Sequence, residues 1–317
     1  MKRKVMYVFI GIILLYGVNV IGPKKEIEGT NPWRTSNSDT LVISHAGGRL
    51  YNPGNTMSAF EYSYNLGVDV LEMDVQMTND GVLVLRHGEN ETGNIRQMSN
   101  CDTVIWDETF EYLYNNCNFG YNYEDIDGEF PYRDMTHSEW VDAGVYLLRL
   151  EALFIEYGNS TLYVVEIKAD ADAQRNETAD ALVDLIKAYH LDDFVLLATS
   201  FEDISLYIRD TYPDMMISAS HAKAQETVVK TYSLTDMFLN PDGYYALQIP
   251  TSENVPVVST LPLDKKLLIN RLHNHNMAVH YWTINDELVM KELIELGADG
   301  IITDDPALLI EVINNIE

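Results

Sequence analysis

Cysteine is scarce in this sequence. Its 317 residues include two cysteines, Cys101 and Cys117, with no Cys-x-x-Cys motif and no Cys/His spacing typical of zinc. A thiolate zinc site and a dithiol redox centre are therefore excluded. The two thiols are equally compatible with one disulfide, which export from the cytoplasm would permit, and with two free buried side chains.

Positive charge is also in short supply. The chain has 21 Lys and Arg residues against 49 Asp and Glu residues, a net charge of −28. Because binding a polyphosphate backbone requires many basic side chains, this composition excludes a nucleic-acid partner. A phosphate-containing substrate would have to be held locally, by a cation or by a few basic residues. Otherwise the acidity indicates only solubility, and nothing in the sequence indicates a protein partner.

Long apolar runs are absent apart from one at the N-terminus. Within residues 1–22, three basic residues precede an apolar run over residues 5–22 that is interrupted by Asn19. At about 1.5 Å per residue this run would span roughly 27 Å as a helix, close to the thickness of a hydrocarbon core. The basic flank predicts that the rest of the chain lies outside the cytoplasm. Since no Ala-x-Ala cleavage pattern follows, we expect a single-pass membrane anchor rather than a cleaved signal peptide. Cleavage of a signal peptide would give a secreted protein. A buried core helix is the least favoured alternative.

The remainder of the chain divides into two parts. Residues 23–39 are polar and predict a linker, and residues 40–317 are expected to form one folded domain. In that domain eight β-type runs alternate with amphipathic helical stretches, which predicts an α/β fold of the TIM (β/α)8 barrel type. The predicted strands are Leu41–His45, Asp69–Val75, Thr161–Ile167, Phe194–Thr199, Met215–Ser220, Tyr244–Ile249, Ala278–Trp282 and Asp299–Thr303.

One further β-type run, Val82–Arg86, does not fit this alternation. It follows Asp80-Gly81, a strong signal for a tight hairpin, and a tight turn cannot join parallel neighbours. We therefore expect an extra strand that folds back beside the second one. Residues 88–150 then break the βα rhythm, which predicts an insertion or a lid beside the mouth of the barrel.

Three carboxylates lie near the C-terminal ends of predicted strands, where barrel enzymes have their catalytic residues. Glu72 and Asp74 stand two residues apart, so their side chains share one face of the second strand, and Glu166 lies near the end of the third. Three buried carboxylates need neutralisation, and a hard divalent cation, Mg²⁺ or Ca²⁺, prefers oxygen ligands. The alternative is a salt-bridged cluster with Lys168 or Arg86, although one or two cations offset three anions poorly.

Two histidines lie beside these carboxylates in the predicted barrel. His45 ends the first strand, and His87 follows the hairpin strand. A single histidine in an apolar run is usually a core residue, but a pair at the mouth of a barrel can serve as base and acid across one bond. Together with a cation that neutralises phosphate, this pattern indicates hydrolysis of a phosphodiester.

A set of short motifs runs through the same region. They are His45, Gly47, Pro53, Asn55-Thr56, Ala59-Phe60, the Glu-x-Asp-Val-x-x-Thr-x-Asp-Gly pattern from Glu72 to Gly81, and His87. Later in the chain stand Glu166-Ile167-Lys168, Ser200-Phe201, Trp282-Thr283-Ile284-Asn285 and the run from Gly300 to Asp304. Taken together, these motifs resemble the glycerophosphodiester phosphodiesterase family over residues 41–310, although the 88–150 insertion matches it poorly.

The resemblance implies a TIM barrel that cleaves glycerophosphodiesters to glycerol 3-phosphate and an alcohol. The roles it implies are acid–base catalysis for His45 and His87, metal binding for Glu72, Asp74 and Glu166, phosphate contact for Lys168, and packing on the substrate's carbon skeleton for Trp282. The cofactor is accordingly expected to be Mg²⁺ or Ca²⁺.

Three positions depart from the family pattern. Ala46 stands where an arginine follows the first histidine, Gly54 replaces the glutamate of Pro-Glu-Asn-Thr, and Gly88 replaces the aspartate after the second histidine. We expect Arg49 or Arg86 to supply the phosphate contact that the missing arginine would make.

The resemblance leaves the substrate open among deacylated phospholipid, lysophospholipid and a polyglycerophosphate wall polymer. A second hypothesis is a phospholipase-like phosphodiesterase that acts on lipid or lysolipid, which an aromatic-lined lid in residues 88–150 would favour. A third is a binding barrel that has lost turnover, prompted by the three departures from the pattern.

Overall fold

The computed structural model of the chain describes residues 6–7, 10–11, 13–14, 16–18, 22, 24–35, 39–89, 93–168, 175–241, 243–251 and 261–316. Much of the predicted anchor over residues 1–22 lies outside these described residues. Within them, no helix has both the length and the apolar character needed to cross a membrane. The membrane anchor therefore stays a prediction.

A closed barrel of parallel strands forms the centre of the described chain. The strands of the sheet are β1 (Leu41–Ser44), β2 (Val70–Met77), β3 (Leu83–Leu85), β4 (Leu162–Ile167), β5 (Val195–Ala198), β6 (Ile217–Ser218), β7 (Tyr244–Ile249), β8 (Ala278–Tyr281) and β9 (Gly300–Thr303). The barrel strands follow the order β1-β9-β8-β7-β6-β5-β4-β2, and pairing of β1 with β2 closes the barrel. Strand β3 pairs antiparallel with β2 outside the barrel, so both the eight-stranded barrel and the extra hairpin strand are confirmed.

Most helices follow the strands and cover the outside of the barrel, and two short helices lie in the insertion. They are α1 (Met57–Leu66), α2 (Phe110–Asn116), α3 (His137–Asp142), α4 (Leu150–Tyr157), α5 (Arg175–Ala188), α6 (Glu202–Thr211), α7 (His221–Tyr232), α8 (Lys266–His273), α9 (Glu287–Leu296) and α10 (Pro306–Ile316). Alternate residues of each strand face these helices, as Leu71 and Met73 of β2 do, and form the main apolar core with them. The other set, which includes Val70, packs inside the barrel. Parallel strands of this kind are buried on both faces, which explains their continuous apolar runs.

The segment predicted as a linker closes one end of the barrel. Trp33 is fully buried among inward-facing strand residues, and its indole N–H donates to the sulfur of Met216 at 3.4 Å. His280 Nε2 donates to the carbonyl of Trp33 at 3.1 Å, and Asn31 Nδ2 donates to the carbonyl of Tyr245 at 2.8 Å. Residues 24–35 are therefore part of the packed domain, at the end of the barrel opposite the strand C-termini.

The insertion has a small core of its own. Apolar side chains from β3 and from residues 88–150 pack together; they are Val84, Ile95, Ile105, Leu113, Cys117, Phe119 and Leu147. Cys101 and Cys117 form a disulfide within it, which settles the alternative that the sequence left open. Short helices α2 and α3 belong to this unit.

Removing the disulfide is expected to destabilise the insertion. With a sequence separation of 16 residues between the cysteines, closure of a loop of this length is worth about 3 kcal/mol in the chain-entropy model. The double variant Cys101→Ser/Cys117→Ser should lower the free energy of unfolding by that amount in urea titrations followed by tyrosine and tryptophan fluorescence. Wild type in excess reductant should match the variant, and an unchanged midpoint in both would contradict the prediction.

Candidate active site

The three predicted carboxylates converge at the C-terminal ends of β2 and β4. Glu72 and Asp74 both point into the barrel from β2, and Asp74 lies directly across from Glu166 in the parallel register. One oxygen of each carboxylate lies within 4.8 Å of an oxygen of the other two. Glu72 and Asp74 are buried, and Glu166 is partly exposed. The sequence prediction that they form one cluster is therefore confirmed.

Among the residues that the structure describes, one lysine lies within this cluster. Lys168 Nζ is 2.9 Å from Glu166 Oε1 and 3.5 Å from Asp74 Oδ1. Burial opposes the charge of Lys168, but Asp74 and Glu166 outweigh it and raise the pKa of the ammonium, which stays charged. Burial likewise opposes ionisation of Asp74, yet Lys168 and His87 hold the pKa of this carboxyl below its usual value.

Glu72 carries the charge that remains unbalanced. Its Oε2 accepts a hydrogen bond from the backbone N–H of Ala46 at 2.7 Å. Burial, followed by the charge of Asp74, raises the pKa of Glu72 to about 7. A cluster with three carboxylates and one ammonium keeps an excess of negative charge, so its all-oxygen donor set fits a hard divalent cation. The salt-bridge alternative is realised only in part, through Lys168.

His45 is held in place by a carboxylate that sequence reasoning gave no role. Its Nδ1 lies 2.6 Å from Asp304 Oδ1, just beyond β9, and Asp304 also accepts from Arg49 Nε and Asn285 Nδ2, both at 2.8 Å. Burial lowers the pKa of His45, but Asp304 and Glu72 outweigh burial and raise it. The signal in the sequence is the Thr303-Asp304 pair at the end of a predicted strand, which belongs to the motifs of the family resemblance.

His87 is held by the backbone instead. Its Nδ1 donates to the carbonyl of Gly88 at 2.5 Å, which leaves Nε2 as the nitrogen available for proton transfer. Gly88 has φ 79°, and a Cβ there would lie 2.9 Å from the carbonyl oxygen of Gly93. The aspartate of the family pattern therefore does not fit this backbone, and the Gly88 carbonyl fixes the ring of His87 in its place.

One cavity of about 910 Å³ joins these groups. It is lined by His45, His87, Glu72, Glu166, Lys168, Arg49 and Trp282. Asp74 lines an adjoining cavity. Trp282 and Arg49 stand at the rim, with about half of each side chain exposed.

Arg86 has a different position from the one expected for a phosphate contact. Its guanidinium is buried and donates to the carbonyls of Gly54 at 2.8 Å, Met98 at 3.2 Å and Phe119 at 3.4 Å. It also lies 4.9 Å from the centre of the Phe119 ring, and burial lowers its pKa to about 9. These contacts join the insertion to the first loop of the barrel, which lies between β1 and α1. Of the two arginines proposed to replace the missing one, Arg49 is the one at the rim.

Comparison with known proteins agrees with this geometry. The model of the glycerophosphoryl diester phosphodiesterase family matches residues 45–308. The chain belongs to this family. It is thus an enzyme, a phosphoric diester hydrolase. The glycerophosphodiester phosphodiesterase of Bacillus altitudinis is 25% identical over 86% of this chain and 98% of that protein. A human lysophospholipase D is 23% identical over 86% of this chain and 84% of that protein.

Solved structures of family members share the fold. The glycerophosphodiester phosphodiesterase of Agrobacterium tumefaciens superposes with a TM-score of 0.61 at 16% identity, covering 86% of this chain and 99% of that one. A phosphodiesterase of Oleispira antarctica, solved with the product sn-glycerol-3-phosphate, gives a TM-score of 0.62 at 18% identity over 86% of this chain and 96% of that one.

Proposed function

We propose that this phosphodiesterase hydrolyses glycerophosphodiesters to glycerol 3-phosphate and an alcohol, with His45 and His87 as the acid–base pair. The observation that carries the proposal is the placement of both histidines with Glu72, Glu166 and Lys168 around one cavity. Each histidine has Nδ1 engaged, by Asp304 or by the Gly88 carbonyl. Each ring is therefore oriented with Nε2 free to exchange a proton.

The carboxylates Glu72, Asp74 and Glu166 are the proposed metal ligands. A cation bound there, Mg²⁺ or Ca²⁺, would neutralise the phosphate and polarise its P–O bonds. Lys168 keeps its charge and lies against two of these carboxylates, a position from which it contacts the phosphate.

Proton transfer completes the reaction. One histidine takes the proton of the attacking water at Nε2, and the other gives its Nε2 proton to the leaving alkoxide. Arg49 and Trp282 at the rim are the proposed contacts to the phosphate and to the carbon skeleton.

A lysophospholipid is the second candidate substrate. On the β5–β8 side of the carboxylates an apolar cavity of about 410 Å³ is lined by Ala198, Val228, Leu263 and Ile284, among others. Hydrocarbon gains free energy on entering such a space. The human relative named as a lysophospholipase D agrees with this alternative. A membrane anchor at residues 1–22, with the barrel outside the cytoplasm, remains part of the proposal.

An assay of the full chain tests the proposed function. Glycerophosphocholine and glycerophosphoethanolamine should release glycerol 3-phosphate with Mg²⁺ or Ca²⁺ present, and EDTA should abolish the reaction. Lysophosphatidylcholine is the parallel substrate for the alternative. Full activity in EDTA, or no hydrolysis of any of the three substrates, would overturn the proposal.

Asp304 is expected to tune the pH dependence of the reaction. Since its carboxylate raises the pKa of His45, Asp304→Asn should move the limb of kcat/KM that His45 controls toward lower pH. Loss of the positioning hydrogen bond should also reduce kcat by about 10–100-fold.

Arg49 provides the matched control, because its charge lowers the pKa of His45. Arg49→Gln should therefore move the same limb toward higher pH. Profiles of kcat/KM measured from acid to alkaline pH check both shifts, and shifts in the same direction would contradict the assignment.

A further inference from the structure

A second cavity, of about 320 Å³, opens beside the catalytic centre on the side of the insertion. Asp74 and His87 line it, so it communicates with the reacting groups. Its volume is within the range of small-molecule pockets. Its walls come from the first loop of the barrel and from the insertion; they include Leu50, Pro53, Gln97, Asn122, Tyr123 and Glu124. We call it the Ala46–Gly54 pocket, after two residues that line it.

Both of these residues are small where the family pattern has long charged side chains. Ala46 and Gly54 lie against each other, because a Cβ on Gly54 would be 3.0 Å from the Cβ of Ala46 and 3.0 Å from that of Arg49. The carbonyl of Ala46 also accepts from the backbone N–H of Asn55 at 2.8 Å, which fixes the distance between the two segments. An arginine at position 46 and a glutamate at position 54 would take up space that the pocket now occupies.

We propose that the Ala46–Gly54 pocket receives the alcohol half of the substrate and selects for a polyol of the size of an inositol or hexose ring. The inference rests on the proposed hydrolysis of glycerophosphodiesters. The glycerol 3-phosphate half is common to every substrate of that reaction. Space gained by two departures from the family pattern therefore serves the half that varies.

The polar side chains in the walls of the pocket suit a ligand that carries hydroxyl groups. Gln97 presents an exposed amide and Glu124 an exposed carboxylate, and such groups pair with the donors and acceptors of a polyol. The amide nitrogen of Asn122 donates instead to the carbonyls of Arg96 at 2.8 Å and Ser99 at 3.0 Å, so Asn122 helps to hold this wall in place. The hydroxyl of Tyr123 donates to the carbonyl of Leu50 at 2.8 Å, so its ring is a fixed wall.

Size, rather than charge, distinguishes alcohols in this pocket. Charged side chains of both signs line it, Arg49 and Arg86 together with Asp74, Glu124 and Asp304. A ring of the size of inositol would occupy much of the pocket, whereas ethanolamine is too small to do so. Glycerophosphoinositol is thus the matched probe, and glycerophosphoethanolamine is the small comparison.

The test compares kcat/KM for these two substrates in the full chain with Mg²⁺. Wild type should prefer glycerophosphoinositol by about tenfold or more, and Gly54→Gln, which fills the pocket, should remove that preference. Cleavage of glycerophosphoethanolamine should fall in Gly54→Gln by a clearly smaller factor than cleavage of glycerophosphoinositol, because the smaller alcohol makes less use of the pocket. Adding Ala46→Gly to Gly54→Gln returns space to the pocket and should restore part of the preference.

A second measurement separates the pocket from folding. Free myo-inositol should inhibit glycerophosphoethanolamine hydrolysis by wild type, and this inhibition should weaken in Gly54→Gln. Equal use of both substrates by wild type, or an equal loss of both in Gly54→Gln with no recovery in the double variant, would overturn the pocket assignment and leave the proposed function standing. Absence of hydrolysis of either substrate would overturn both.

Discussion

Glu72→Gln is expected to reduce kcat by at least about 10²–10³-fold, the range for losing one preorganised electrostatic contact in an active site. The amide keeps the shape of the side chain and can still accept the hydrogen bond from Ala46 N–H. It removes the negative charge that a cation needs. Calorimetric titration with Mg²⁺ or Ca²⁺ should show weakened binding together with the loss of hydrolysis.

The same variant should stabilise the protein when the metal is removed. In wild type the folded-state pKa of Glu72 is raised to about 7. The stability that protonated Glu72 contributes is therefore fully present below its unfolded-state pKa and is lost as pH rises through its folded-state pKa. Glutamine has no such dependence. In EDTA at alkaline pH, Glu72→Gln should therefore be more stable than wild type by on the order of a few kcal/mol.

Two outcomes would contradict this account of Glu72. One is a lower melting temperature of Glu72→Gln in EDTA at alkaline pH, and the other is unchanged metal affinity. Glu61→Gln is the control, because Glu61 is an exposed carboxylate on α1. It should leave kcat, metal binding and melting temperature unchanged.

The barrel and its carboxylates could be predicted because their signals are local. Eight apolar runs, each followed by a helical stretch or the insertion, identify the strands, and Asp80-Gly81 identifies the hairpin that β2 and β3 form. The alternation of side chains along a strand is enough to bring Glu72 and Asp74 to one face. These inferences need no knowledge of which distant segments meet.

The details that were missed depend on such distant contacts. Asp304 is 259 residues from His45, and Trp33 is 183 residues from Met216. The polar composition of residues 23–39 indicated a linker, and nothing nearby showed that Trp33 would enter the barrel. The position of Arg86 could not be predicted for the same reason, because its three carbonyl partners come from the first loop and the insertion.

The departure at Gly88 shows how a missing side chain can be replaced by backbone. The sequence alone shows that the aspartate of the family pattern is missing beside His87. The positive φ of Gly88 turns its carbonyl toward His87 Nδ1, which supplies the hydrogen bond without a carboxylate. A site can therefore keep its geometry while departing from the family pattern.

Replacing either histidine is expected to have the other large effect. His45→Ala and His87→Ala should each lower kcat by about 10²–10⁴-fold, because each removes one proposed partner of proton transfer. The double variant should lose little more than the worse single variant, since groups that act as a unit are not additive. Metal affinity should stay within about threefold of wild type in both, because the proposed ligands are the carboxylates.

The pH profile distinguishes the two roles. In each single variant the residual kcat/KM should lose one limb of the bell-shaped profile, the acidic limb for the base and the alkaline limb for the acid. His190→Asn is the control, because His190 is exposed and its positive φ is tolerated by asparagine. Loss of the same limb in both variants, or wild-type turnover in either, would contradict an acid–base pair made of His45 and His87.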